Sequence, residues 1–129
     1  AFKTRVVAVK RVSEGATVSY GRMYRVERPT QLAALPVGYA DGFSRRLTGR
    51  AFVLIRGKRY PVVGAICMDQ AIVDVGDDPV APGDVAVLLG RMGDERITAD
   101  DWAQALGTIN YEVVCGISSR VPRVYLNGG

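Results

Sequence analysis

Short runs of apolar or alternating residues, cut by glycine and proline, dominate this chain and predict strands. Thr4–Val12 is rich in valine and predicts the first of them. Gly15 punctuates it, and Ala16–Tyr20 and Met23–Glu27 follow as short extended pieces around Gly21. Gln31–Val37 is an apolar run in which Pro36 marks a strand end or a sheet edge. Gly38–Gly49 has no clear period and is expected to be a loop. Ala51–Arg56 and Lys58–Val63 flank Gly57, the pattern of a hairpin that turns where glycine permits positive φ. Ala65–Val75 alternates in its middle and is expected as one strand. Ile66, Met68, Gln70 and Ile72 would share one face, and Cys67, Asp69, Ala71 and Val73 the other. Turns at Gly76–Pro79 and Ala81–Asp84 lead to Val85–Leu89, a strand that Gly90 is expected to close.

Helical spacing appears only late. Thr98 is a suitable N-cap, and Asp100 and Asp101 occupy the first turn, where the helix dipole favours negative charge. Trp102, Ala103 and Leu106 fall on one apolar face, and Gly107 stands where a left-handed residue would end the helix. Thr108 can cap a second short helix through Tyr111 and Val114, and Val121–Leu126 is expected as a closing strand. The sum is roughly seven to nine strands against one or two short helices. The expected fold class is mainly β, a partly open β-barrel-like domain that hides its strand edges by curling.

Composition narrows the chemistry. At 129 residues the chain is expected to form a single domain, 1–129, with 48% hydrophobic and 23% charged residues as in ordinary globular proteins. No apolar run approaches the ~20 residues of a membrane helix. No charged-then-apolar segment opens the chain, so a cytoplasmic location is expected, with no membrane partner. Histidine is absent, which removes serine–histidine and cysteine–histidine nucleophiles, two-histidine zinc motifs and any imidazole proton shuttle. Cys67 and Cys115 are too few for an all-cysteine metal site and are expected to be buried thiols; no metal is expected. The net charge of +4 comes from scattered residues (Lys3, Arg5, Lys10, Arg11, then Arg45, Arg46, Arg50, then Arg120, Arg123) rather than from a phosphate-tracking cluster. Nucleic acid is therefore not an expected partner. Any proton transfer falls to Asp, Glu, Lys, Tyr or Cys.

Three segments carry more polarity than a plain β-domain requires. Val18-Ser19-Tyr20-Gly21 sets a tyrosine at a strand end, where the plainer role is a half-buried ring with a hydrogen-bonded hydroxyl. Pro36-Val37-Gly38-Tyr39-Ala40-Asp41-Gly42 has the plainer role of a tight loop in which Asp41 bonds backbone amides; without a following Gly-Lys-Ser/Thr it is no phosphate loop. Gly64-Ala65-Ile66-Cys67-Met68-Asp69-Gln70 places an acid and an amide beside apolar residues, where each must be solvated or paired.

Taken in order with Gly107-Thr108-Ile109-Asn110-Tyr111-Glu112 and Arg120-Val121-Pro122-Arg123, these motifs resemble the C-terminal domain of alanine racemase, from about Arg5 to Tyr125. The resemblance implies a two-domain enzyme dependent on pyridoxal 5'-phosphate, in which an N-terminal (β/α)8 barrel carries the lysine that binds the cofactor. None of Lys3, Lys10 or Lys58 sits in a motif like that one, so the chain is expected to be inactive alone. Lys58 is expected to point into water beside its hairpin.

By motif position, Tyr20 would be the catalytic acid and base for the L-enantiomer, supplied to the barrel of a partner subunit. Met68 would meet the substrate carboxylate through its backbone N–H, and Tyr39 would narrow the entrance so that alanine is preferred over larger amino acids. Tyr111 would hydrogen-bond the cofactor phosphate held by its own barrel. Arg45 and Asp69 would line the corridor to the site, less basic here because Ala65 stands where some relatives have arginine. The partners implied are the chain's own N-terminal barrel and a second subunit in a head-to-tail homodimer, with D-alanine as a peptidoglycan precursor. An exposed patch around Tyr20, Tyr39 and Met68 is expected. The alternatives are a related serine or lysine racemase, or a free-standing β-barrel binding module.

Overall fold

Phe2–Val12 bends into two strands rather than one. In the computed structural model, which describes residues 1–18, 24–47 and 49–107, β1 (Phe2–Arg5) and β2 (Ala8–Val12) are separated by Val6 and Val7. Val6 donates its N–H to the Asp84 carbonyl at 2.9 Å, and Val7 donates to Ala34 at 3.0 Å, so the chain leaves one neighbour and joins another at this kink.

The remaining strands are β3 (Thr17–Val18), β4 (Tyr24–Arg25), β5 (Thr30–Leu35), β6 (Phe52–Ile55), β7 (Lys58–Val63), β8 (Ala71–Gly76), β9 (Val85–Met92) and β10 (Glu95–Ile97). One α-helix, α1 (Ala99–Leu106), is present among the described residues. Eight strands form one sheet in the order β1-β9-β6-β7-β8-β5-β2, with β10 beside β9, and every pairing is antiparallel. β3 and β4 make a separate ribbon. β1 and β2 are consecutive in the chain yet lie at opposite ends of this order, so the kink draws the two edges together and the sheet curls. The mainly β, barrel-like class expected from the sequence is the observed one.

The core follows the pleat. In β8, Ala71, Val73 and Val75 are buried while Ile72 and Asp74 are half-buried. Val53–Ile55 of β6 and Ala86–Leu89 of β9 are buried without alternation, the mark of strands covered on both faces. Trp102 of α1 packs edge-on to Phe2 at 6.1 Å between ring centres and lies 5.4 Å from Phe43.

Local chemistry decides several turns. Arg56 and Gly57 both have positive φ, at 52° and 78°, and join the paired residues Ile55 and Lys58 as a two-residue turn of the type that matches strand twist. The helix obeys its signals closely. The Thr98 hydroxyl accepts the Asp101 N–H at 3.1 Å, and the Asp101 carboxyl accepts the Thr98 N–H at 2.8 Å. Gly107 ends the helix in the left-handed region at φ 70°.

Three further readings of the pattern need correction. Ala65–Val75 is not one strand: β8 begins at Ala71, and the Cys67 N–H donates to the Gln70 carbonyl at 2.9 Å to close a turn instead. Gly90 does not end β9, which runs on to Met92; a Cβ at Gly90 would stand 2.9 Å from the Ala1 Cβ, so glycine there admits a close approach. β10 was not expected, although Gly93-Asp94 between the paired Met92 and Glu95 is a hairpin signal. The expected second helix from Thr108 and the closing strand Val121–Leu126 lie outside the described residues.

Candidate active site

Pro36 ends β5 and delivers the chain to Gly38, whose backbone is extended. Tyr39–Asp41 then form one 3-10 turn inside the segment expected to be plain loop, and Gly42 closes it at φ 101°. The turn is braced from within. Asp41, only 5% exposed, accepts the Gly38 N–H on Oδ2 at 3.1 Å, and its own N–H returns to the Gly38 carbonyl at 3.0 Å. The plainer role read for Asp41, a carboxyl bonding backbone amides, is what the fold uses. Phe43, fully buried, anchors the far side and donates its N–H to Gly38 O at 3.2 Å.

This turn seats on the Cys67–Gln70 turn. Tyr39 donates its N–H to the Cys67 carbonyl at 3.0 Å, and Ala40 donates to the Met68 carbonyl at 2.9 Å. Gly38 is a glycine for lack of room rather than for its φ. A Cβ there would run into the Cys67 carbonyl oxygen and lie 2.7 Å from the Met68 carbonyl group. The turns that carry Tyr39 and Met68, two residues singled out from the sequence, are thus tied together by backbone bonds although their motifs lie far apart in the chain. Their side chains are 45% and 54% exposed, two of the large apolar surfaces left uncovered. Asp69 is exposed on the same turn, so its carboxyl is solvated. Arg45 lies on the backbone of the 3-10 turn Arg45–Leu47. Tyr20 and Tyr111 lie outside the described residues, as do Cys115, Arg120 and Arg123.

The reverse side of the Cys67–Gln70 turn faces a cavity of about 590 Å³ over β2, β5 and β8, lined by Ala8, Lys10, Leu32, Ala34 and Ile72 together with Cys67 and Gln70. Cys67 is half-buried rather than buried, its Sγ 3.7 Å from the Ala65 carbonyl. Two of the scattered arginines have structural duties. Arg46 donates to the Leu106 carbonyl at 2.8 Å and Arg50 to Ala105 at 2.9 Å, serving the carbonyls that a helix C-terminus leaves open. The sequence offered no local sign of this, because the helix lies far along the chain.

Among the described residues no group of three His, Cys, Asp or Glu side chains stands ready for a metal ion. No helix among them is long and apolar enough to cross a membrane. Lys58 is well exposed, as expected beside its hairpin, with Nζ 3.6 Å from the Asp78 carboxyl.

The chain matches the family model described as "Alanine racemase, C-terminal domain" over residues 1–125. The chain belongs to this family. Alanine racemase 1 of Clostridium acetobutylicum is 53% identical over 129 residues, an alignment covering 99% of this chain and 33% of that protein. The alanine racemase of Symbiobacterium thermophilum is 58% identical over 125 residues, 96% of this chain and 33% of that protein. The solved alanine racemase from Bacillus anthracis with bound L-Ala-P superposes with a TM-score of 0.90 at 43% identity, covering 98% of this chain and 33% of that one. The alanine racemase from E. faecalis superposes equally well, TM-score 0.90 at 40% identity, over 96% of this chain and 33% of that one. The chain therefore spans about a third of the length of the relatives it matches.

Proposed function

We propose that this domain serves a pyridoxal 5'-phosphate-dependent alanine racemase that interconverts L- and D-alanine, with the cofactor bound mainly by an N-terminal barrel. The observation that carries the reading is the Tyr39–Met68 joint, in a chain that shares about half its residues with proteins of that name. The described residues do not by themselves fit the cofactor. Lys58 is near Asp78 on a different hairpin, and Lys3 lies in β1 with its backbone opposite Val87 of β9. The site for the group belongs mainly to the rest of the protein.

What this chain supplies is substrate handling and one proton. Tyr20 holds a proton on its phenol oxygen for the substrate Cα and takes one back from L-alanine. A free tyrosine titrates near ~10, so neighbouring positive charge must lower it for work near neutrality. Met68 binds the substrate carboxylate through its backbone N–H, which Tyr39 orients by donating its own N–H to the Cys67 carbonyl, the other half of the same peptide group. Tyr39 narrows the entrance, and a small pocket rejects larger side chains. Asp69 and Arg45 line the approach, and Tyr111 would hydrogen-bond the phosphate of the cofactor when it is bound. The protein acts as a head-to-tail homodimer in the cytoplasm, where the D-alanine it makes feeds peptidoglycan. The exposed Tyr39 and Met68 are the surface such a partner would cover.

The test is Tyr20→Phe in the full-length protein. Turnover starting from L-alanine is expected to be lost while the cofactor's absorbance persists. Turnover that survives would make Tyr20 a packing residue and withdraw the two-base mechanism.

A further inference from the structure

Asp41 is a buried carboxyl that the proposed chemistry leaves unused. Among the described residues Thr30 and Asp41 are the buried polar or charged side chains, and Thr30 is spent within the sheet, its hydroxyl donating to Asp74 at 2.7 Å. Asp41 stands instead at the base of the joint. It holds the Gly38 N–H at 3.1 Å, and the next two amides along the chain, those of Tyr39 and Ala40, are the ones that grip Cys67 and Met68. A carboxyl is costly to bury, and the bonds it makes there are short-ranged and directional, so it fixes the backbone more firmly than a neutral side chain would.

We infer that Asp41 is a positioning residue for the substrate carboxylate. It holds Gly38 against the Cys67–Met68 carbonyls and so sets where the Met68 N–H points relative to the Tyr39 ring. The part of this inference that concerns alanine rests on the function proposed above; the joint itself does not. The carboxylate is not the reacting end of the substrate, so an N–H bound to it holds ground state and transition state alike. Loss of such a contact raises KM and spares kcat. A residue needed only for folding would instead lower the active fraction, and with it the apparent kcat at constant KM.

The experiment uses the full-length enzyme carrying Asp41→Ala, with steady-state kinetics and amide hydrogen exchange of the segment 64–70. Asp41→Ala is expected to raise KM for both alanine enantiomers about tenfold and to change kcat by less than about threefold. Exchange in 64–70 is expected to quicken without alanine present. Asp41→Glu keeps the carboxyl but lengthens its reach by one methylene, and it should give the same KM-selective defect should the alanine variant not fold. A folded variant with unchanged KM, or with a fall in kcat alone, overturns the positioning role. Unchanged exchange in 64–70 overturns the joint whatever the substrate is. An unsubstituted enzyme that does not racemise alanine overturns the alanine reading, while quickened exchange in Asp41→Ala would still uphold the joint.

Discussion

The Tyr60 hydroxyl donates to Asp78 Oδ2 at 2.7 Å, pinning β7 to the turn that follows β8. Burial, reinforced by this bond and by the negative charge of Asp78, pushes the Tyr60 phenol up to about 12, with Arg56 opposing. The same bond holds the Asp78 carboxyl below its ordinary value against partial desolvation, with Lys58 assisting.

Stability should therefore depend on pH at both ends of the scale. The Tyr60 contribution is complete below its ordinary value of 10.0 and is lost as pH rises toward about 12. The Asp78 contribution is complete above its ordinary value of 3.8 and is lost as pH falls below it. Melting midpoints of the parent and Tyr60→Phe should differ most near neutrality and converge at both extremes. A gap that stays constant across that range would remove the linkage.

Gly38→Ala should be among the most harmful single methyl additions in the domain. The new Cβ meets carbonyl groups of Cys67 and Met68, backbone atoms that cannot rotate away. Overpacking of this kind costs about 1–3 kcal/mol. Denaturant midpoints measure it, and an unshifted midpoint would mean that the two turns part freely.

Thr98→Ala removes the hydroxyl that caps α1 and should cost about 1 kcal/mol in denaturant unfolding, with Thr98→Ser recovering most of it. Equal loss in both variants would place the effect in the threonine methyl rather than in the cap.

Met68→Leu tests which part of Met68 matters. The side chain is 54% exposed and the proposed contact is the backbone N–H, which leucine keeps. Alanine kinetics of the full-length protein should stay within about twofold, the scale of an ordinary surface change. A much larger loss would assign substrate binding to the thioether.

Tyr111→Phe should weaken cofactor retention more than it slows turnover, measured by titrating the cofactor into stripped full-length protein. Equal affinity in the two proteins would withdraw the phosphate contact.

The features legible in the sequence were those decided by neighbours in the chain. Pro36 stopping β5, Arg56-Gly57 turning the β6–β7 hairpin, and Thr98 with Asp101 starting α1 each follow from a few adjacent residues. Where a distant partner decides, the pattern misled. Gly90 reads as a stop but sits inside β9 because β10 pairs with it and the residues beyond, Gly90 opposite Ile97 and Met92 opposite Glu95. The alternation across Ala65–Val75 is genuine only from Ala71 onward, since Tyr39 and Ala40 claim the carbonyls of Cys67 and Met68. Arg46 and Arg50 look like scattered charge until the end of α1 is brought to them. For the candidate site, the motifs named Tyr39 and Met68 as important. That one backbone turn grips the other, with Asp41 beneath, needed coordinates.

The kink at Val6–Val7 also orders events in time. Phe2 pairs with Leu89, and Arg5 with Val85, whereas the β6–β7 hairpin needs only its own short stretch of chain. During synthesis the apolar side of Phe2–Arg5 must wait, unzipped, until the Val85–Leu89 stretch has left the ribosome. Closure of the wall is thus a late step, and the opening residues of the domain are the ones most in need of protection from neighbouring chains while they wait.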